Sequence, residues 1–245
     1  MEPSKLKTEV STSEFEMETH RLDLQAKIRL CRMVEISRAA LTTLALMAGI
    51  AVLGLSADAL KVYNATHVSP EYLLPLWPDH VDLRPTNALV AAGSIAVVVN
   101  VVCLLASKVH AVISLPGPDH RTRQEETNMA PQLRNRILIT TSIGLAAPLI
   151  ALIAAITAVA LSYAVNPSGH TVQSWACRWR QVPMQSRPFF GTLCTGGQVA
   201  LDLAVLLIPL EAIVLGVAAH GASLRHRIDV LTRERDAIKG SPALS

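Results

Sequence analysis

Glu211 stands in "LLIPLEAIVLG", a lone carboxyl in an apolar run. Inside hydrocarbon such a group costs about 2.5–3.5 kcal/mol on insertion scales, so it must serve as helix–helix glue or handle a proton or ion. Asn100 lies at similar depth in a second apolar run of the same direction, so a Glu211–Asn100 hydrogen bond is geometrically possible. Asp58 and Asp202 each fall near the ends of apolar runs, where snorkelling to the interface is the simpler reading, and Lys61 could pair with Asp58 along a helix. Asn64-Ala65-Thr66 is an N-glycosylation sequon, whereas Asn166-Pro167-Ser168 is blocked by its proline. Asp79, His80 and Asp82 are potential metal donors, but scattered donors in a loop rarely ligate, and no metal is expected. The stretch "WACRWRQVPMQSRPFFGTLC" concentrates Trp175, Trp179, Cys177 and Cys194 with Arg178, Arg180, Arg187 and a Phe pair.

The elements that carry these residues are written in the hydropathy. The chain has 245 residues, 51% hydrophobic and only 4% aromatic, with a mean hydropathy of +0.37. Four apolar windows, 39–62, 87–107, 137–165 and 199–219, approach or exceed the roughly 20 residues that a helix needs to cross a bilayer. A soluble four-helix bundle would repeat a polar face every third or fourth residue, and "LIALIAAITAVALSYAV" has none. The expected fold class is all-α: a polytopic, four-span bundle with a disulfide-stapled outer loop. Its parts are an N-terminal segment, 1–38, a membrane domain, 39–219, and a tail helix, 220–245. The charged leader is too long for a cleaved signal peptide, so the first span reads as a retained anchor. A net charge of +3 with no accompanying motif gives no reason to expect nucleic acid.

Orientation follows from the cations. Of 22 Lys and Arg, 17 fall in the N-terminal segment, the middle connector and the tail. Basic short loops stay cytoplasmic, so both termini are expected inside. The sequon, all three Trp and all three Tyr then lie in or beside the two outer connectors. Cys177 and Cys194 are the only outer cysteines, in the compartment where disulfides persist, and their closure is worth about 3 kcal/mol in the chain-entropy model. Cys31 precedes the first span, within reach of palmitoylation, and Cys103 lies within the second.

Two readings of the outer connectors remain open. One is an aromatic belt with a stapling disulfide, which needs no partner. The other is a folded cap presenting Trp175, Trp179, Arg180, Arg187 and Phe189 for recognition, residue types enriched at binding hot spots. A belt would also put Trp or Tyr at the inner face, which has none. Pro183, Pro188 and Gly191 make the bracketed segment read as an irregular loop, and Ser69-Pro70 as the start of one helical turn.

Few aromatics means that the spans must pack through small residues. Candidates are Gly49 and Gly54; Ala88, Ala92 and Ala96; Ala147, Ala151 and Ala155; and Ala212 and Gly216, with kinks expected at Pro148 and Pro209. On the inner side, 14–36 reads as a helix, acidic first and basic toward the bilayer. Leu224, Ile228, Leu231 and Ile238 fall near heptad spacing in the tail, over too short a run for a firm coiled coil.

No nucleophile elbow, P-loop, zinc-protease motif or dinucleotide fingerprint occurs, so no enzyme and no cofactor is expected. The span order and the "SWACRW…FFGTLC" pattern resemble fungal four-span membrane proteins of no assigned activity, a resemblance that implies no mechanism. Tetraspanins carry Cys-Cys-Gly where Arg178 follows Cys177 here, and claudins keep their Trp-and-Cys signature in the first outer loop. The expected function is an integral membrane scaffold or interaction protein, recognising another membrane or extracellular protein through its outer loops. A transporter or channel subunit using Glu211 and Asn100 is the alternative. The expected setting is the secretory pathway, at the plasma membrane, with the lipid bilayer and a second copy as further contacts.

Overall fold

The computed structural model describes residues 4–67, 77–78, 80–113, 126–166, 169–182 and 188–240. They form five helices: α1, Ser4–Thr66; α2, Arg84–Ile113; α3, Glu126–Val165; α4, Val172–Arg178; and α5, Phe190–Gly240. Four of these, excluding the short α4, contain stretches long and apolar enough to cross a membrane. Among the described residues the only sheet-like pairing is an isolated parallel bridge, Asp82 with Thr171.

The chain divides into two compact units. One joins the N-terminal part of α1 to the C-terminal part of α5, Met1–Arg38 with Ala219–Ser245. There Val34 Cγ1 lies where it would touch a Cβ added to Gly221 at 3.4 Å. The leader and the first apolar run are one unbroken helix rather than two elements, because no Pro or Gly interrupts residues 4–48.

The other unit, Ala39–Ala218, is a bundle of α1, α2, α3 and α5 closed at one end by α4. Its interior is layered. Val52, Leu89, Ala92, Ala158 and Ala204 form one buried cluster, and Ala45, Ala96, Ala155 and Leu207 form the next. Alanine at so many interior positions means that backbones nearly touch. The closest approach is at Gly93, where a Cβ would meet Leu53 N of α1 at 2.9 Å. Gly49 sits beside the same crossing, its added Cβ 3.2 Å from Ala96.

The small-residue expectation therefore needs correction in detail. Ala92, Ala96, Ala147, Ala151 and Ala155 are interior. Gly54, Ala212 and Gly216 are exposed, and a Cβ at Gly54 or Gly216 would meet nothing within 4 Å. Gly93, which makes the tightest contact, was not among the expected positions. Spacing alone could not choose between faces, because these helices are apolar all round. α5 runs on as helix through Pro209.

Hydroxyls inside the spans bond back to their own helix. Ser94, Thr157 and Ser162 each donate to the carbonyl four residues earlier, at 2.8 Å. Each hydroxyl is thereby satisfied within its own helix.

Candidate functional site: a cross-linked aromatic cap and a buried carboxyl–amide pair

The cap is built from local signals that a hydropathy reading passes over. Thr171 caps α4: its hydroxyl accepts from Ser174 N at 3.1 Å, while Ser174 Oγ accepts from Thr171 N at 3.1 Å. This reciprocal box uses Ser where Glu or Gln is usual, and α4 ends at Arg178, before Pro183, Pro188 and Gly191, the residues on which the loop reading rests. Thr171 also donates to Asn166 Oδ1 at 2.9 Å, tying α4 to the end of α3. The 175–194 stretch is thus helical at both ends, with α4 reaching Arg178 and α5 starting at Phe190. At the other connector Asp82 Oδ1 accepts from Arg84 N at 2.9 Å, and Asp82 N donates to His170 O at 2.8 Å. Asp82 therefore organises the start of α2 and its junction with the cap. Asp79 lies outside the described residues, and among those described no cluster has the makings of a metal site.

Trp77 is the hub. It is 3% exposed and packs edge-on against Tyr63 at 5.1 Å and Phe190 at 5.5 Å. Its indole Nε1 donates to Thr66 Oγ1 at 2.9 Å, and Thr66 donates in turn to Val62 O. Each aromatic pair adds about 0.5–1.5 kcal/mol beyond area burial. Val172, Ala176, Leu193 and Cys194 complete this core, with Trp175 and Cys177 packed against it. The Cys177–Cys194 disulfide joins α4 to the second turn of α5, its Cα atoms 4.6 Å apart. Trp77, Tyr63 and Phe190 were missed as cap core. The signal available was that one aromatic from each connector must meet if the connectors share an end.

The expected recognition residues divide. Trp175 is half-buried, tilted against Trp179 at 5.8 Å. Trp179 and Phe189 stand out of the core, 42% and 47% exposed, and Arg180 is exposed beside them. Adjacent Phe189 and Phe190 thus point to opposite sides of the cap surface. Arg187 lies outside the described residues, as does Ser69-Pro70. Asn64 is exposed on the last turn of α1. Asp58 and Asp202 are exposed on α1 and α5.

The second cluster lies deep in the bundle. Asn100 Nδ2 donates to Glu211 Oε1 at 2.8 Å and to Ala96 O at 2.9 Å, so both amide hydrogens are spent. Glu211 is fully buried and Asn100 is 2% exposed. Glu211 Oε2 is buried without a hydrogen-bond partner among the described residues. Leu207 and Val214, one turn to either side on α5, are also buried. The pair fastens α2 to α5, and its surroundings along both helices are apolar.

No family model, no curated protein and no solved structure matches this chain.

Proposed function

We propose that this chain is a multi-pass membrane protein that recognises another protein through the exposed edge of its cap, formed by Trp179, Arg180 and Phe189. The observation that carries this reading is the division of the cap's aromatics. Trp77, Tyr63 and Phe190 already supply a core, yet Trp179 and Phe189 remain over two-fifths exposed on a segment held by the disulfide. Rigid aromatics flanked by Arg on a preorganised surface lose little entropy on binding, which favours their use as anchors.

In this reading the four apolar helices cross the bilayer, the cap faces the lumen or cell exterior, and both termini are cytoplasmic. The distribution of Lys and Arg supports that orientation, and the disulfide supports an oxidising compartment, with the plasma membrane as destination. The exposed Asn64 then accepts a glycan. The role is not catalytic, and the Glu211–Asn100 pair pins α2 to α5 rather than carrying an ion, because neither group has more than 2% of its surface exposed.

The test is a mild-detergent pull-down from native membranes, comparing wild type with Trp179→Ala/Arg180→Ala/Phe189→Ala. These side chains lie outside the core, so the variant keeps its fold. Loss of a defined set of partners supports the reading, and an unchanged set, or none, overturns it.

A further inference from the structure

Below the exposed cap edge, α5 presents a continuous exposed face: Thr192, Thr195, Gln198, Val199 and Asp202. Beside it runs an open groove of about 590 Å³, lined by Leu55, Gly191, Thr192, Thr195, Gly196 and Val199. Gly191-to-Thr195 and Thr192-to-Gly196 are small residues four apart, a spacing that lets a second helix approach closely. Thr192 and Thr195 donate to Phe189 O and Gly191 O, so their polar atoms do not oppose an apolar ridge.

The depth of Asp202 decides what fills this groove. Ala96, Ala155 and Leu207 share one layer, from which Asn87 and Val165 lie about 14–15 Å toward the cap at 1.5 Å per residue. That distance is half the thickness of a hydrocarbon core, so the layer marks the midplane. Asp202 is five residues from Leu207, about 7.5 Å from that layer and inside the hydrocarbon. Its side chain is too short to snorkel as Lys does. Neither Asp202 nor Gln198 makes a hydrogen bond or ion pair among the described residues. An exposed carboxyl at that depth calls for a cation beside it. The windows 87–107, 137–165 and 199–219 hold no Lys or Arg, and 39–62 holds only Lys61, far toward the cap. A parallel second copy therefore brings no cation to this level.

We infer that the groove on α5 seats a transmembrane helix of a different protein, one bearing a Lys or Arg in its outer-leaflet half, which pairs with Asp202 and is bonded by Gln198. This rests on the membrane reading above and extends it: the partner that the cap recognises enters the bilayer beside α5.

The test uses the full chain, reconstituted in phosphatidylcholine vesicles with a fluorescent donor. The probe is an acceptor-labelled Leu/Ala helix of about 21 residues with one Lys about five residues from one end. Energy transfer is expected to report association about tenfold tighter than for the same peptide with Leu in place of Lys. Asp202→Asn removes the Lys preference, and Asp58→Asn, also exposed but near the cap, leaves it. Gly196→Val weakens both peptides, since its Cβ fills the groove at ordinary contact, 3.7 Å from Leu55. Equal binding of the two peptides, or a Lys preference that survives Asp202→Asn, overturns the inference. So does chain–chain energy transfer that Asp202→Asn abolishes, which would make the occupant a second copy. The peptide has no outer domain, so the Trp179→Ala/Phe189→Ala chain binds it as wild type does. Failure here and failure of the cap reading are thereby separate results.

Discussion

The cap and the middle of the bundle solve the same packing problem with opposite materials. The cap fills its interior with Trp77, Tyr63 and Phe190 and closes it with a covalent bond. The bundle fills its interior with Ala45, Ala96 and Ala155 and holds its helices by backbone proximity and the buried Asn100–Glu211 hydrogen bond. The difference follows from the surroundings. In the proposed orientation the cap meets water, where burying large aromatic area is favourable. Lipid gives no such drive, so close approach and polar contacts must serve. The two regions should therefore fail in opposite directions, the cap when side chains shrink and the bundle when they grow.

The largest effect is expected at the hub. Trp77→Ala removes a buried side chain and orphans Thr66 as an acceptor, and should cost about 3–5 kcal/mol in detergent unfolding. Comparable stability in that variant would mean that the cap has no independent core. Next comes Cys177→Ser, at about 3 kcal/mol from lost loop closure, read by the same unfolding curve with and without reductant. Reductant should shift wild type and leave the variant unmoved.

In the bundle the sign reverses. Gly93→Leu drives a side chain into Leu53 of α1 and should cost about 1–3 kcal/mol, although it adds apolar volume. Gly54→Leu, on an open face, is its control. Smaller again is the polar pin. A double-mutant cycle of Asn100→Ala and Glu211→Ala should return a coupling of about 0.6–1.7 kcal/mol, the range for hydrogen bonds between membrane helices. A coupling near zero would mean that the contact contributes no fastening. Smallest is Trp179→Ala, which should change stability by less than about 0.5 kcal/mol, as expected of a side chain outside the core.

The same contrast explains what could be read without coordinates. Four apolar helices and the Cys177–Cys194 bond were legible, because hydropathy and cysteine placement are long-range signals that survive without side-chain detail. The meeting of Glu211 and Asn100 was legible for a similar reason: two isolated polar groups at one depth have few other partners. The faces of the helices were not legible. An apolar-all-round helix offers no moment to say which Gly or Ala points inward, so Gly93 passed unseen and Gly54 and Gly216 were overvalued. The α4 cap was hidden because Thr171 and Ser174 form a capping box without an acidic residue. Phe189 and Phe190 are indistinguishable by type, and only the start of α5 assigns one outward and one inward.

The central claim is that the exposed edge of the cap recognises a protein. It is tested most directly by photo-cross-linking in intact native membranes, with Trp179→p-benzoylphenylalanine and Phe189→p-benzoylphenylalanine set against Ile153→p-benzoylphenylalanine on the exposed face of α3. The account predicts a discrete protein adduct from 179 and 189 and none from 153. No protein adduct from the cap positions, or the same adducts from all three, would contradict it.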